Sequence, residues 1–162
     1  MVLGLSLSMF TAVHVVLSLI GIFSGVVVLL AMLKGKNLGA WTALFLASTI
    51  LISVTGFLFP SSGFTPAQGV GILSLIFLAA ALVALYVGHL AGAWRWIYVI
   101  TAVIALYFNV FVAITQSFQK LAFLQPLAPT QSEPPFLAAQ LVVLVIFIAL
   151  GTQAVRAFHP EG

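Results

Sequence analysis

The chain has 162 residues, of which five are Lys or Arg and two are Asp or Glu, while 64% are hydrophobic and the mean hydropathy is +1.32. So few charges cannot cover a soluble globule of 17.2 kDa, and the composition therefore predicts an integral membrane protein whose surface faces lipid. Cysteine is absent, which excludes disulfides and thiolate-based catalysis or metal binding. The pI of about 9.7 depends on so few basic residues that it indicates membrane topology rather than a nucleic-acid partner.

Five segments of the chain are long and apolar enough to be membrane-spanning helices, which need about 20 mostly apolar residues each. Breaks rich in Gly, Pro or charge separate them, and none shows the alternation of a strand. The sequence therefore predicts an all-α, polytopic helical bundle that forms a single transmembrane domain, 1–162. The predicted spans are 9–33, 39–59, 69–92, 94–118 and 136–157, with a long extracytoplasmic loop at 119–135.

The basic residues predict how the spans are oriented. Lys34, Lys36, Arg95 and Arg156 all fall on one side of a five-span path, and Lys120 falls on the other. By the positive-inside rule, the N-terminus is expected outside and the C-terminus in the cytoplasm. Aromatic residues that favour the headgroup layer flank the same inner loops: Trp41, Trp94, Trp96 and Tyr98.

Small residues in the first and third spans recur at intervals of four. Gly21 and Gly25 lie in span one, and span three carries four more: Ala80, Ala84, Gly88 and Gly92. This spacing lets helix backbones approach closely in lipid, where burial of apolar surface adds little to association. We expect these faces to pack helices within the chain, and the alternative is contact with a second copy or another membrane protein.

Two histidines lie within the predicted spans, His14 near the outer boundary and His89 near the inner boundary. At about 1.5 Å of rise per residue they are roughly 20 Å apart along the membrane normal, so they cannot ligate one haem together. Each is expected to hydrogen-bond to a neighbouring helix, and a haem or pigment held by a single histidine is the alternative. No other cofactor and no metal is predicted.

Span four carries a polar stripe. Thr101, Asn109 and Gln116 fall within roughly 80° of one another on a helix, with Asn109 near the bilayer midplane. An unpaired amide in hydrocarbon is costly, so this face should point at another helix or line a cavity for a solute or cofactor. The expected partners are Ser18 and Ser24 of span one, Ser48, Thr49 and Ser53 of span two, and Gln140 of span five.

The loop 119–135 mixes apolar residues with prolines, so we expect it to fold back onto the outer end of the bundle. Lys120 and Glu133 should lie there at headgroup level and are able to pair. The loop is either a structural cap or a docking surface for another membrane protein or an extracytoplasmic partner. The second acidic residue, Glu161, also falls outside the spans, so a carboxylate-dependent ion-coupled pump is disfavoured.

Around this loop the residues NVFVAITQSFQK, LAPTQSEPPF and AQ follow an upstream HLAGAWRWIYV. The pattern, over roughly spans three to five, resembles a group of uncharacterised small hydrophobic integral membrane proteins of bacteria. The resemblance implies a bacterial cytoplasmic (inner) membrane and implies no activity.

The sequence shows no hydrolase, nucleotide-binding or metalloprotease motif and no paired carboxylates, so no catalytic residue is predicted. It favours a structural or accessory membrane protein that packs as an oligomer or as a subunit of a larger membrane complex. One alternative is a channel or facilitator for a small neutral or apolar solute, lined by Asn109, Gln116, Thr101 and His14. The other is a haem- or pigment-binding membrane protein that uses one histidine.

Overall fold

A computed structural model describes residues 1–160, and within that range the chain contains five long helices and no strand. All five are long and apolar enough to cross a membrane, which confirms the predicted all-helical chain with five candidate spans. Glu161 lies outside the described residues. The helices are α1 (Leu7–Leu33), α2 (Gly39–Gly56), α3 (Pro66–Leu82, extended by a π-helical turn, Val83–Val87), α4 (Trp94–Lys120) and α5 (Pro134–Ala157).

Local chemistry explains where several helices begin. Ser6 caps α1 by accepting a hydrogen bond from the Met9 amide. Thr65 and Gln68 form a reciprocal capping box at α3, with Pro66 in the first turn, where its missing N–H costs nothing. Helix α3 therefore begins before the predicted start at residue 69.

The predicted end of the third span, residue 92, is wrong because the helical segment stops at Val87. The amides of Gly88 and Leu90 bond back to the carbonyls of Val83 and Ala84, which closes the helix with a tight turn. His89, Leu90 and Gly92 then adopt positive φ angles of 49°, 58° and 55°. The expected small-residue stripe is correspondingly shorter, because Gly88 and Gly92 lie beyond the helix.

Smaller boundary differences occur elsewhere. Helix α2 ends at Gly56 instead of residue 59, α4 continues to Lys120 instead of 118, and α5 begins at Pro134 instead of 136.

Helix α4 is central and contacts each of the other four helices. The main core lies between α4 and its neighbours, and its largest buried side chains include Met32, Phe45, Leu46, Leu78, Tyr98, Val99, Leu106 and Phe158. We call the end of the bundle with residues 34–38, 88–93 and 158–160 the basic end. The opposite end, with residues 1–6, 57–65 and 121–133, is the loop end.

Candidate functional site

The polar stripe of α4 meets α2 at Asn109. The side-chain amide Nδ2 of Asn109 donates to the hydroxyl Oγ1 of Thr49 at 3.1 Å, and Thr49 is fully buried. Helix α1 closes on the same place through Gly21, where an added Cβ would lie 3.4 Å from Asn109 Nδ2 and 3.4 Å from Ser48 Oγ. Three helices thus converge on one interhelical hydrogen bond.

Most other buried hydroxyls are satisfied within their own helices. Thr101 donates to the Ile97 carbonyl at 2.7 Å and does not reach across to a second helix in the described structure. Ser24, Ser48 and Ser53 likewise donate to carbonyls three or four residues earlier. Such back-bonding lets a hydroxyl lie in an apolar interior without a partner on another helix.

Gln140 joins α5 to α4. Its Nε2 donates to the Phe111 carbonyl at 3.1 Å and to Thr115 Oγ1 at 3.2 Å. If the side-chain amide of Gln140 were rotated by 180°, its oxygen would face the carbonyl oxygen of Phe111, and the two would repel each other. The contact therefore determines which amide atom is the nitrogen and which is the oxygen. Gln140 Oε1 is buried and has no hydrogen-bond partner within residues 1–160. Leaving such an acceptor unpaired costs about 1–3 kcal/mol, which offsets part of what the Nε2 bonds contribute.

Gln116 does not join the Asn109 contact. It lines a separate cleft of about 340 Å³ near the loop end, between the start of α3 and the second half of α4. Thr65, Thr115 and Gln119 supply the other polar groups of this cleft. The stripe read from the sequence is therefore divided among a local bond at Thr101, an interhelical bond at Asn109 and a cleft at Gln116.

The two candidate histidines lie toward opposite ends of the bundle. His14 Nδ1 lies 3.0 Å from Thr55 Oγ1 of α2, and the imidazole packs edge-on against Phe59 at 5.0 Å between ring centroids. His89 is exposed in the turn at the basic end. Within residues 1–160 no group of three or more His, Cys, Asp or Glu residues is placed to hold a metal ion.

The small glycines leave room for side chains of neighbouring segments inside the chain. An added Cβ at Gly25 would lie 2.5 Å from Leu106 Cδ1 and 2.9 Å from the Phe45 ring. Ala84 is fully buried, whereas Ala80 is partly exposed. Gly88 lies directly against the Trp94 indole, so the turn after α3 packs on the start of α4.

The loop 121–133 is anchored by an apolar contact and by a carboxylate. Ala128 is fully buried beside Phe118 and Phe136, whose rings meet at 90° and 5.5 Å. The Glu133 carboxylate accepts hydrogen bonds from the Thr130 hydroxyl at 2.7 Å and from the amides of Thr130 and Ser132. The Thr130 hydroxyl is the main cause of a lowered pKa at Glu133. Glu133 thus fastens its own loop, while Lys120 is exposed.

Arg95 forms a contact at the basic end that sequence reasoning missed. Its Nη1 donates to the carbonyls of Val155 at 2.7 Å and Phe158 at 2.9 Å. These carbonyls lie at the C-terminus of α5, where acceptors lack partners within the helix. Tyr98 packs against Phe158, with ring centroids 5.7 Å apart, and closes the same end. The sequence contained the arginine but gave no sign of which carbonyls it would reach.

Comparison with known proteins gives a negative result. No protein-family model, curated protein or solved structure matches the chain. The resemblance to bacterial membrane proteins therefore stays a prediction, and function must be argued from the contacts themselves.

The chemistry of the interior is that of neutral donors and acceptors. The five helices contain no carboxylate, because the one acidic residue that the structure describes, Glu133, precedes α5. The amides of Asn109 and Gln140 and the hydroxyl of Thr49 join helices, and the serine hydroxyls bond within them. This arrangement suits helix association in lipid.

Proposed function

We propose that the chain is a structural or accessory multi-pass protein of a bacterial cytoplasmic membrane, which packs as an oligomer or as a subunit of a larger membrane complex. The observation that carries the proposal is the Asn109–Thr49 hydrogen bond at the meeting point of α1, α2 and α4. It uses the side-chain Nδ2 of Asn109, near the middle of α4, to hold helices together within the bundle.

The proposed orientation has the N-terminus outside and the C-terminus in the cytoplasm. Lys34 and Lys36 lie in the first connection at the basic end, and Arg95 and Arg156 lie in terminal turns of helices at that end. Lys120 lies at the loop end. The positive-inside rule favours the basic end as cytoplasmic.

The surface of α5 supports association with another protein. Its buried residues are Phe136, Gln140 and Ala154, while many of its large apolar side chains are exposed. The exposed group includes Leu137, Leu141, Val142, Val145 and Ile146. A partner helix can pack on this face at little desolvation cost, because it replaces lipid and not water.

Blue-native electrophoresis and crosslinking in native membranes test the proposal. We expect an assembly larger than one chain, and Val142→Trp should weaken it because Val142 lies on the exposed face of α5. Leu19→Trp, at a similarly exposed site on α1, is the matched control and should leave the assembly intact. A strictly monomeric chain without a co-purifying partner would contradict the proposal.

The cleft beside Gln116 favours a second candidate function, a channel or facilitator for a small neutral solute. Its polar lining, Thr65, Thr115 and Gln119 beside Gln116, lies near the loop end. Replacing Gln116 with Leu separates the two candidates. A facilitator whose solute passes through this cleft should lose flux while the fold and the assembly stay intact, whereas an accessory protein should show no change in flux.

A further inference from the structure

A groove runs along the outer surface of the bundle between α4 and α5. It has a volume of about 430 Å³ and is lined almost entirely by apolar side chains, among them Ile100, Val103, Leu144, Phe147 and Ile148. Tyr107 lies at the end of the groove near the middle of the helices, and Arg156 lies at the opposite end, in the last turn of α5. Arg156 is the one charged residue of the lining, so one end of the groove is uncharged and the other end carries a cation.

The length of this groove matches one leaflet of a bilayer. Leu144 and Arg156 are about 18 Å apart along α5 at a rise of about 1.5 Å per residue. Half of a hydrocarbon core about 30 Å thick is about 15 Å. Tyr107 is the central residue of α4 (Trp94–Lys120), so the groove extends from the middle of the helices to the basic end.

Gly151 keeps the groove open near its charged end. An added Cβ there would lie 3.3 Å from Val103 Cγ1 on α4. Any larger side chain would either push the helices apart or fill the space between them. The glycine therefore leaves open part of the apolar groove, next to the turn that carries Arg156.

The two arginines of the basic end have different roles. Arg95 donates to the carbonyls of Val155 and Phe158, which orders the end of α5. Arg156 lies in the last turn of α5, where it is exposed and lines the groove. A guanidinium at headgroup level is a good partner for a phosphate, because it donates two parallel hydrogen bonds to its oxygens.

We infer that this groove binds one acyl chain of an anionic glycerophospholipid, with the lipid phosphate on Arg156. The inference rests on the proposed placement in a membrane, with the basic end at the cytoplasmic surface. The acyl chain of the lipid occupies the space between Val103 and Ile148, and the charge of the lipid headgroup determines which lipid binds more tightly.

Native mass spectrometry of the delipidated full chain in mild detergent tests this site, with dioleoyl phosphatidylglycerol and dioleoyl phosphatidylcholine as probes. The wild type should bind one phosphatidylglycerol more tightly than phosphatidylcholine. Arg156→Gln should weaken phosphatidylglycerol binding about tenfold and remove the preference, as expected for the loss of a charge-assisted hydrogen bond. Ile148→Trp should weaken both lipids by filling the groove.

Two control variants complete the experiment. Lys36→Gln removes a charge at the same end, and Ile146→Trp adds the same bulk to α5 away from the groove lining, so both should bind lipid as the wild type does. Wild-type phosphatidylglycerol binding by Arg156→Gln, or an equal loss in Lys36→Gln, would overturn the inference. A monomeric chain with the expected lipid pattern would support this site and contradict only the accessory role.

Discussion

Asn109 of α4 and Thr49 of α2 are joined by a 3.1 Å hydrogen bond at a point where α1 also approaches, through Gly21. The bond joins α2 and α4 where α1 packs against them, and these three helices have almost no charged side chains with which to recognise one another. Because lipid tails are as apolar as the helix surfaces, polar bonds and close packing must determine which helix faces meet.

Removing this bond should reduce stability in a measurable and coupled way. Asn109→Leu and Thr49→Val should each lower the free energy of unfolding in mixed micelles. The double variant should lose less than the sum, with a coupling of about 0.6 kcal/mol and no more than about 1.7 kcal/mol, as found for interhelical bonds in membranes. Strictly additive losses would show that the two side chains do not interact.

Gly25 should tolerate no side chain. Gly25→Ala places a methyl group against Leu106 and Phe45, and overpacking of this kind costs about 1–3 kcal/mol. Alanine is the better helix former by about 1 kcal/mol, so the sign of the change shows which effect dominates. The matched control is Gly39→Ala, where the added methyl meets open space and stability should hold or rise. A stabilising Gly25→Ala would contradict the close approach of α1 to α4.

The Arg95 contact predicts a local effect at the end of α5. Arg95→Gln should speed hydrogen exchange at residues 155–158 and lower the thermal midpoint, because the carbonyls of Val155 and Phe158 lose a charged donor worth about 1.5–3 kcal/mol. Arg156→Gln changes an exposed side chain of the same turn that does not bond to these two carbonyls, so it should leave the exchange rates unchanged. Equal exchange in Arg95→Gln and wild type would exclude the contact.

The lowered pKa of Glu133 predicts a pH dependence of loop anchoring. Because the folded pKa lies below the unfolded value of about 4.3, the carboxylate stabilises the fold above that pH, and the contribution is lost as pH falls through the folded pKa. The thermal midpoint of Glu133→Gln should therefore lie below that of the wild type at neutral pH and converge with it in acid. Lys120→Gln should show no such convergence. A gap that persists below the folded pKa would refute the assignment.

Hydrophobic runs and their breaks predicted all five helices, since length and apolarity are what a membrane span requires. The C-terminal end of the third helix was mispredicted because residues 83–92 contain no Asp, Glu, Lys, Arg or Pro, and composition does not distinguish a span from a closing turn. That turn depends on Gly88 packing against Trp94, which is a tertiary contact. The start of α3 was readable, since Thr65, Pro66 and Gln68 form a capping signature in sequence.

The polar contacts were less accessible to sequence reasoning. Periodicity places Thr101, Asn109 and Gln116 on one face, and Thr49 was among the partners considered for that face. Periodicity does not show which hydroxyl donates to a carbonyl of its own helix, as the hydroxyl of Thr101 does. Gln140 donates to Thr115 Oγ1 and also to the Phe111 carbonyl, and the side-chain pattern of the sequence gives no sign of this backbone acceptor.

The central claim, a bundle that crosses the membrane an odd number of times, is tested most directly by cysteine labelling, since the chain has no cysteine of its own. Leu3→Cys at the loop end and His159→Cys at the basic end place single thiols at exposed sites that flank all five helices. A membrane-impermeant maleimide should label the Leu3→Cys variant in intact cells and the His159→Cys variant only after the membrane is opened. Labelling of both variants from the same side would contradict the five-span arrangement.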